Sequence, residues 1–263
     1  MYAPKDHTFV LCAYKKSPFL EDCLISLQEQ VIQSNVLVAT STPNDYIKEC
    51  CEKFRVPLFV NAGGSGISSD WNFALSCAST SLVTIAHQDD TYEPCYTQHM
   101  LGAVNSVKKP LLFFTNYGEL RHGACVDKNS LLNIKRKMLA PLKLPFLRGS
   151  RFVRRRILSF GSAICCPSVT MVVPNLFIPL FKSTFSCNLD WDAWERVSRL
   201  EGAFYYDPAI LMRHRIHLGS ETTALIENNT RTKEDIAMLS RFWPRQIVKF
   251  ISRFYLTSQK SNE

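Results

Sequence analysis

The stretch Leu82-Val83-Thr84-Ile85-Ala86-His87-Gln88-Asp89-Asp90 carries the strongest signal for the fold. Its apolar first half predicts a buried strand, and its polar second half predicts a loop at the carboxyl end of that strand. Adjacent carboxylates such as Asp89 and Asp90 repel each other unless a cation or hydrogen-bond donors compensate. Two interpretations of the pair follow: it binds Mn²⁺ or Mg²⁺ together with a diphosphate, or it caps the next helix.

Strands and helices alternate on both sides of this stretch. Strands are predicted over 8–13, 35–40, 57–60 and 111–115, and helices over 18–30, 44–54 and 94–107, with a further helix entered near Ser68. This alternation predicts right-handed βαβ units, and therefore an α/β fold with a mostly parallel, Rossmann-like central sheet flanked by helices. Beyond Asn116 the pattern breaks. Residues 117–156 are predicted to be loop-rich, short strands are expected over 168–173, 203–206 and 210–213, and a helix over 190–200.

The predicted strands end at one edge of the sheet. Ligands of open parallel sheets bind beside the carboxyl ends of the strands. We therefore expect Tyr14, Ser41, Asn61 and the His87–Asp90 loop to lie on one rim, which suits a nucleotide with a metal. The loop Gly63–Gly66 is not followed by Lys-Ser or Lys-Thr, and no Gly-x-Gly-x-x-Gly follows the first strand. The sequence thus disfavours an ATPase P-loop and a dinucleotide-binding dehydrogenase.

A second candidate segment opens the predicted helix at 190–200. Asp190 and Asp192 stand at its start, where the helix dipole stabilises carboxylates. One of them can act as a general base towards an acceptor hydroxyl, and Trp191 or Trp194 can offer an apolar face to a sugar ring. The alternative is a capped helix with core tryptophans.

A third segment, Arg213–Ser220, places two histidines among arginines. Such a loop can hold a diphosphate, and a histidine can also be a metal ligand. Histidines are at least as often structural, so both interpretations stay open.

Charge is unevenly distributed along a chain whose net charge is +8. No acidic residue occurs from Lys128 to Arg156, and this block can meet substrate phosphates or anionic lipid, or can be a solvated loop. Nucleic acid is not expected as a partner, because no helix-turn-helix, RNP-like or zinc-finger pattern accompanies the charge.

Two C-terminal helices are predicted, separated near Pro244. The second has apolar residues on one side, namely Ile247, Phe250, Ile251 and Phe254. This basic amphipathic helix can lie on a membrane, or can pack on the domain or on a second copy in a homodimer.

Composition indicates a cytoplasmic protein. With 46% hydrophobic residues the chain can bury a sizeable core, and it has no run approaching about 18 apolar residues. The ten cysteines contain no Cys-x-x-Cys pair, so buried thiols are expected. Through its basic segments the protein is expected to reach the inner face of the cell membrane.

Taken in order, these motifs resemble the family-two glycosyltransferases of the GT-A fold, which are typically inverting and include enzymes of bacterial cell-surface polysaccharide synthesis. The resemblance spans about Thr8 to Ser220 and is strongest over 70–90 and 190–217. It implies that Asp89 binds the metal, with Asp90 as its acidic neighbour, and that Asp190 is the catalytic base. It further implies donor contacts from Ala13, Tyr14, Ser41, Asn61, Asn72, His87 and Gln88, and a closing loop in which Arg215 and His217 contact the diphosphate or the metal.

Four positions depart from the family pattern. His87 replaces the first acidic residue of the Asp-x-Asp element, Thr40-Ser41 replaces an acidic pair, Trp71 stands where an arginine is common, and Leu189 replaces a glutamate. These changes leave the metal aspartate and the base in place, but they leave the sugar and the nucleotide open.

The function expected from the resemblance is transfer of a sugar from a UDP- or dTDP-type donor to a hydroxyl of a glycan or lipid-linked acceptor. Residues 1–228 are expected to form the GT-A domain, with a nucleotide-binding half over 1–116 and an acceptor-binding half over 117–228, and 229–263 a helical tail. A non-catalytic partner subunit of the same fold is the alternative, made plausible by His87 and Leu189. A nucleotidyltransferase is a third reading, although Tyr14-Lys15-Lys16 poorly matches the glycine-rich basic loop it needs.

Overall fold

Nine strands form one sheet in the part of the chain that the computed structural model describes, which is 1–64, 66–182, 184–217 and 230–259, with side chains to residue 252. The strands are β1 (His7–Ala13), β2 (Asn35–Thr40), β3 (Leu58–Val60), β4 (Leu82–His87), β5 (Thr91–Tyr92), β6 (Pro110–Arg121), β7 (Ala124–Val126), β8 (Val169–Val172) and β9 (Ala203–Ile216). The sheet order is β3-β2-β1-β4-β8-β6-β9-β5, and β7 pairs with β6 outside this path.

The helices cover this sheet. They are α1 (Leu20–Gln28), α2 (Asp45–Phe54), α3 (Ile67–Cys77), α4 (Tyr96–Ser106), α5 (Ser130–Leu139), α6 (Arg151–Arg156), α7 (Leu189–Ser198), α8 (Thr230–Leu239) and α9 (Arg245–Gln259). Two apolar clusters lie against the sheet. One includes Val10, Ile85 and Trp194, the other Phe9, Leu11 and Met100. Consecutive residues of β1 therefore face opposite clusters, as expected for a strand that is covered on both faces.

The α/β prediction is confirmed, and its parallel part is the N-terminal half. β1 pairs in parallel with β2 and with β4, and β2 with β3. Beyond β4 the sheet is mixed, because β8 lies antiparallel between β4 and β6, while β6 and β9 are parallel to each other.

Two sequence-based expectations for the C-terminal half were wrong. The predicted short strands over 203–206 and 210–213 are one strand, β9, because register shifts near Asn116 absorb the residues between them without interrupting the pairing with β6. Residues 117–156 are not mainly loop. They contain the end of β6, the strand β7, and the helices α5 and α6, whose starts are capped by the Asn129 and Ser150 side chains.

The C-terminal helices pack on the domain. Met238 and Leu239 of α8 and Val248 of α9 are buried in the same cluster as Trp194. The Glu234 carboxylate accepts hydrogen bonds from the backbone N–H groups of residues 186–188, at 2.7, 2.8 and 3.0 Å, and so holds the segment that leads into α7.

The outer side of α9 is exposed. Ile247 is 40% and Phe250 62% accessible, whereas Ile251 is buried. Phe254 lies beyond the described side chains, so the predicted apolar stripe is seen only in part. None of the helices in the described ranges combines the length and apolar content that a membrane span requires.

Candidate active site at the sheet rim

The carboxyl ends of β1, β2 and β4 coincide. Ala13 pairs with Thr40, and Cys12 pairs with His87, so the loops after the three strands start at the same level. Ala13 is buried, while Tyr14 is 41% accessible. The rim expected from the sequence is present, and the exposed Tyr14 ring is available at its start.

Gln88 joins two of these loops. Its side chain accepts a hydrogen bond from the Tyr14 N–H at 2.9 Å and donates one to the Tyr14 carbonyl at 3.0 Å. Lys15, next in the chain, donates its N–H to the Thr42 hydroxyl at 2.6 Å. The side-chain amide of Gln88 thus forms both a donor and an acceptor hydrogen bond with the Tyr14 backbone, as a neighbouring strand would. Its amide oxygen and nitrogen are both used within the protein.

Asp70 connects two other candidate residues. Its carboxylate accepts from the Ser41 hydroxyl and from the Asn61 side-chain amide, both at 2.9 Å. Asn61 also accepts from the Gly63 N–H at 3.1 Å, which shapes the glycine-rich loop. Asp70 begins the stretch 70–90 in which the resemblance is strongest, but its role as the junction between Ser41 and Asn61 is visible only in the fold.

Asn72 is occupied by the backbone of a distant segment. Its side chain accepts from the N–H groups of Leu180 and Phe181, each at 3.1 Å, and donates to the Phe181 carbonyl at 2.7 Å. Another bond goes to the Ser68 carbonyl at 2.8 Å. These contacts use its donors and its acceptor, so the structure gives Asn72 a supporting position beside the rim.

His87 lies flat on Trp71. The ring centroids are 5.2 Å apart with an interplanar angle of 23°. Burial lowers the pKa of His87, against the opposing effect of Asp90. The two departures from the family pattern are therefore in contact with each other, and a stacked neutral ring pair stands where charged groups are usual.

Asp89 is at the centre of the rim. One carboxylate oxygen accepts from the Ser17 hydroxyl at 2.7 Å, and the other lies 3.1 Å from His217 Nε2. Both side chains are partly accessible, at 23% for Asp89 and 25% for His217. Residues 89 and 217, far apart in the sequence, thus meet at the rim.

Asp90 points into the protein. Its carboxylate is fully buried, accepts from the Arg215 N–H at 3.0 Å, and lies 2.9 Å from His214 Nδ1. Although burial opposes ionisation, the positive charge and hydrogen bond of His214 hold the pKa of Asp90 below its usual value. The same contact raises the pKa of His214 against its burial. These contacts connect β9 to the loop that carries Asp89. Asp90 therefore stabilises the rim from inside the protein.

Arg215 also contacts the loop that carries Asp89. Its Nε donates to the Asp89 carbonyl at 2.8 Å, its terminal nitrogen lies 3.2 Å from the Asp22 carboxylate, and its guanidinium stacks on Phe19 at 4.1 Å. The positive charge is therefore fixed next to Asp89.

Two side chains with donor atoms suited to a metal, Asp89 and His217, meet at this rim. Within the described ranges, no group of three or more His, Cys, Asp or Glu side chains is arranged to hold a metal. Asp89 and His217 offer a carboxylate and an imidazole at one point, and Mg²⁺-type ions are commonly held by one or two carboxylates together with substrate phosphates. The donor set therefore fits a metal that is completed by a diphosphate.

Asp190 lies in the first turn of α7. Its carboxylate accepts from the Trp191 N–H at 2.7 Å and from the Ser162 hydroxyl at 3.3 Å. Burial raises its pKa despite these bonds and the nearby charge of Lys135. Asp90 and Asp190 both raise the pKa of the Cys165 and Cys166 thiols, so residues far apart in sequence lie around one cysteine pair.

The neighbouring acids of α7 are structural. Asp192 is buried and bound by Arg196 at 2.8 Å and by Arg241 at 2.6 Å. Trp191 and Trp194 are 1% and 0% accessible, so the expected sugar-packing face is absent here and the core alternative is correct. Among the acidic residues of α7, Asp190 differs in that the hydrogen bonds to its carboxylate come from neutral donors.

Lys135 is a site residue that sequence reasoning placed only in a basic block. Its ammonium group lies 2.8 Å from the Tyr117 hydroxyl and over the tyrosine ring. Burial opposes its charge, but Tyr117, Cys165 and Asp190 leave its pKa raised. Nothing in the local sequence distinguishes Lys135 from Lys137, because the contacts that select it come from β6 and α7.

Comparisons with known proteins identify the family and the fold of the chain. A family model described as glycosyl transferase family 2 matches residues 8–159. A search of curated proteins finds no match.

Three solved structures show the same fold. The mannosyltransferase PcManGT from Pyrobaculum calidifontis, in complex with GDP-Man and Mn²⁺, has a TM-score of 0.61 at 12% identity, with 91% of this chain and 66% of that chain covered. TarS 1–349 from S. aureus with UDP-GlcNAc gives 0.58 at 13% identity, covering 95% and 71%. Glucosyl-3-phosphoglycerate synthase from Mycobacterium tuberculosis with Mn²⁺, UDP and glucosyl-3-phosphoglycerate gives 0.56 at 14% identity, covering 89% and 80%. The chain thus spans slightly less than two thirds of the mannosyltransferase.

Proposed function

The chain belongs to glycosyl transferase family 2, and we propose that it transfers a sugar from a nucleotide diphosphate donor to a hydroxyl of a glycan or lipid-linked acceptor. The observation that carries the proposal is the arrangement of Asp89 and Asp190. Asp89 is a partly accessible carboxylate at the strand ends beside His217, and Asp190 is a half-buried carboxylate whose pKa is raised. A rim that holds a diphosphate next to a proton acceptor is what glycosyl transfer requires.

The donor is proposed to lie along the rim from Tyr14 to Asp89. Tyr14 offers an exposed ring for the base, and Ser41, Asn61 and Asp70 form the polar wall that follows. The solved relatives hold UDP-GlcNAc, GDP-Man and UDP, which supports a nucleotide diphosphate sugar as the class. A UDP- or dTDP-type donor is our choice within it. Asn72 and Gln88 act by holding the walls in place.

Asp89 and His217 are proposed to hold Mn²⁺ or Mg²⁺, with the donor diphosphate completing the ligand set. When bound, the ion neutralises the negative charge that builds on the leaving diphosphate. Arg215, fixed beside Asp89, adds positive charge to the same place. Asp90 is left out of the ligand set, because His214 and the Arg215 N–H already compensate its buried charge.

Asp190 is proposed as the general base of an inverting displacement. The acceptor oxygen forms a bond to the anomeric carbon while the bond from that carbon to the diphosphate oxygen breaks, and the hydroxyl proton passes to Asp190. Attack from the side opposite the leaving group inverts the anomeric centre. Burial favours this role, because a carboxylate with a raised pKa binds a proton more strongly than a solvated one.

Polysaccharide synthesis on the cytoplasmic side of a membrane is the setting proposed for this activity. The basic charge between Lys128 and Arg156, where no acidic residue occurs, supports a lipid-linked acceptor.

A substitution pair on α7 tests the mechanism. Asp190→Asn removes the base and is expected to lower kcat by about 10²- to 10⁴-fold, while the donor affinity measured by calorimetry is retained. Asp192→Asn removes the same charge two residues on, but there the carboxylate is held by two arginines. It is expected to lower the free energy of unfolding by on the order of 3 kcal/mol with kcat preserved below the unfolding range.

Thermal shift assays with Mn²⁺ identify the donor class. Stabilisation by nucleoside diphosphates and their sugars, but not by triphosphates, is expected and separates this protein from a nucleotidyltransferase. Unchanged turnover in the Asp190→Asn variant would refute the assignment of Asp190 as the general base. Donor binding by the unaltered chain without hydrolysis or transfer would instead favour a non-catalytic partner subunit, for which the His87–Trp71 stack in place of charged residues is the specific observation.

A further inference from the structure

A surface of arginine, lysine and aromatic side chains lies where α6 meets the C-terminal helices. We define this basic aromatic face by Phe152, Arg156, Trp243, Arg245, Lys249 and Phe250. The Arg156 guanidinium lies 4.6 Å from the Trp243 ring and 5.6 Å from the Phe152 ring, which makes the α6 part continuous with the start of α9. Phe160 extends it, with its ring 5.1 Å from Trp243.

Large apolar groups on this face are accessible. Phe152 is 71%, Phe160 46% and Phe250 62% accessible, whereas Val248 and Ile251 on the inner side of α9 are buried. Trp243 donates its indole N–H to the Ser159 carbonyl at 2.7 Å, so the junction between the two parts is fixed. Exposed aromatic side chains among basic ones are a costly surface in water unless something covers them.

The charge of the face has one sign. No aspartate or glutamate occurs from Lys128 to Leu189, or from Ile236 to Asn262, and these two segments supply the whole face. Two carboxylates close in sequence to α7 are paired with other cations. Glu195 is buried against Arg199 and Arg155, and Glu201 lies 2.8 Å from Lys109. An occupant must therefore be negatively charged over an extended area.

We propose that the basic aromatic face docks on an anionic lipid bilayer. Aromatic rings insert at the headgroup level, while arginine and lysine side chains bind lipid phosphates, a division of labour typical of interfacial helices. The proposal goes beyond sugar transfer and does not depend on it, because lipid binding needs neither donor nor acceptor. It adds α6 and Trp243 to the C-terminal helix as parts of one docking surface.

Vesicle flotation of the full chain tests the proposal. Binding is expected to vesicles that contain phosphatidylglycerol and to be absent with phosphatidylcholine alone. Arg245→Gln with Lys249→Gln is expected to weaken binding roughly 25-fold, at about fivefold for each charge removed. Phe152→Ser is expected to weaken binding by about tenfold or more, since it removes an aromatic ring that would be buried in the lipid when the protein is bound. Lys48→Gln on α2, with a side chain 56% exposed, is the matched control and should bind as the unaltered chain does.

Controls separate lipid binding from folding and from sugar transfer. Unfolding midpoints and donor affinity in lipid-free solution should be unchanged in Arg245→Gln with Lys249→Gln, so failure of this proposal and failure of the transferase proposal can be told apart. No binding to anionic vesicles, equal binding to both vesicle types, or binding unaffected by the face substitutions would each overturn it. A dimer in lipid-free sedimentation that the Phe152→Ser variant abolishes would also overturn it, by identifying a second copy as the occupant.

Discussion

His7 at the start of β1 should make the protein progressively less stable as the pH falls. The side chain is fully buried, and its ring nitrogens lie 2.8 Å from the Ser34 hydroxyl and 2.9 Å from the Thr84 hydroxyl. Burial lowers its pKa from 6.5 to about 3. The folded protein therefore holds His7 neutral at pH values where the unfolded chain protonates it.

The sign and size of the effect follow from this difference. A folded-state pKa below the unfolded value gives stability that is fully present above pH 6.5 and is lost as the pH falls towards 3. Each pH unit below 6.5 costs about 1.4 kcal/mol, so lowering the pH from about 7 to about 5 should cost about 2 kcal/mol through this residue alone.

The assay compares the unaltered chain with His7→Gln by urea denaturation at both pH values. At neutral pH the variant is expected to be less stable by about 1–3 kcal/mol, because it disturbs two buried hydroxyl contacts. At the lower pH the difference between the two proteins should shrink by about 2 kcal/mol, while contributions from other titrating groups cancel. An equal difference at both pH values would show that His7 is not held neutral, and would refute the argument.

Two further substitutions test the fold. Gly202→Ala is expected to lower the unfolding free energy by about 1–3 kcal/mol, because Gly202 has φ +140° and an added Cβ would lie 2.5 Å from a backbone carbonyl oxygen. Gly102→Ala in α4, where nothing lies within 4 Å, is the control and should be neutral or stabilising in the same denaturation assay. Asn72→Ala is expected to cost about 2–3 kcal/mol through its lost bonds to the Leu180–Phe181 backbone. Asn105→Ala, which breaks only exposed bonds to Tyr2, should cost clearly less, and equal losses would contradict the assigned role of Asn72.

The N-terminal half of the fold could be predicted because its signals are local. The strand at 82–87 and the polar loop after it stand out in the sequence, and the regular alternation of strands and helices determines parallel neighbours. β8 was predicted as a strand over 168–173, but its place in the sheet was not. Its antiparallel position between β4 and β6 depends on pairing with strands far away in the chain.

The candidate site was predictable to the same extent. Asp89 and His217 were matched through a family motif, and they meet in the structure. The burial of Asp90 could not be foreseen, because it depends on which of two neighbouring carboxylates faces His214 across the sheet. Lys135 and Asp70 were missed as site residues for a related reason, since each is defined by hydrogen bonds to partners from other elements.

The three hydrogen bonds that Glu234 accepts from residues 186–188 limit which C-terminal segments could replace the one in this protein. The C-terminal helices supply the acceptor for the backbone that precedes Asp190, and Asn188 also donates to Asp235 at 2.8 Å. A tail grafted from another protein would need a carboxylate at the same place to keep α7 in position. The C-terminal helices and α7, which carries Asp190, are therefore expected to be inherited together, as one unit rather than as interchangeable modules.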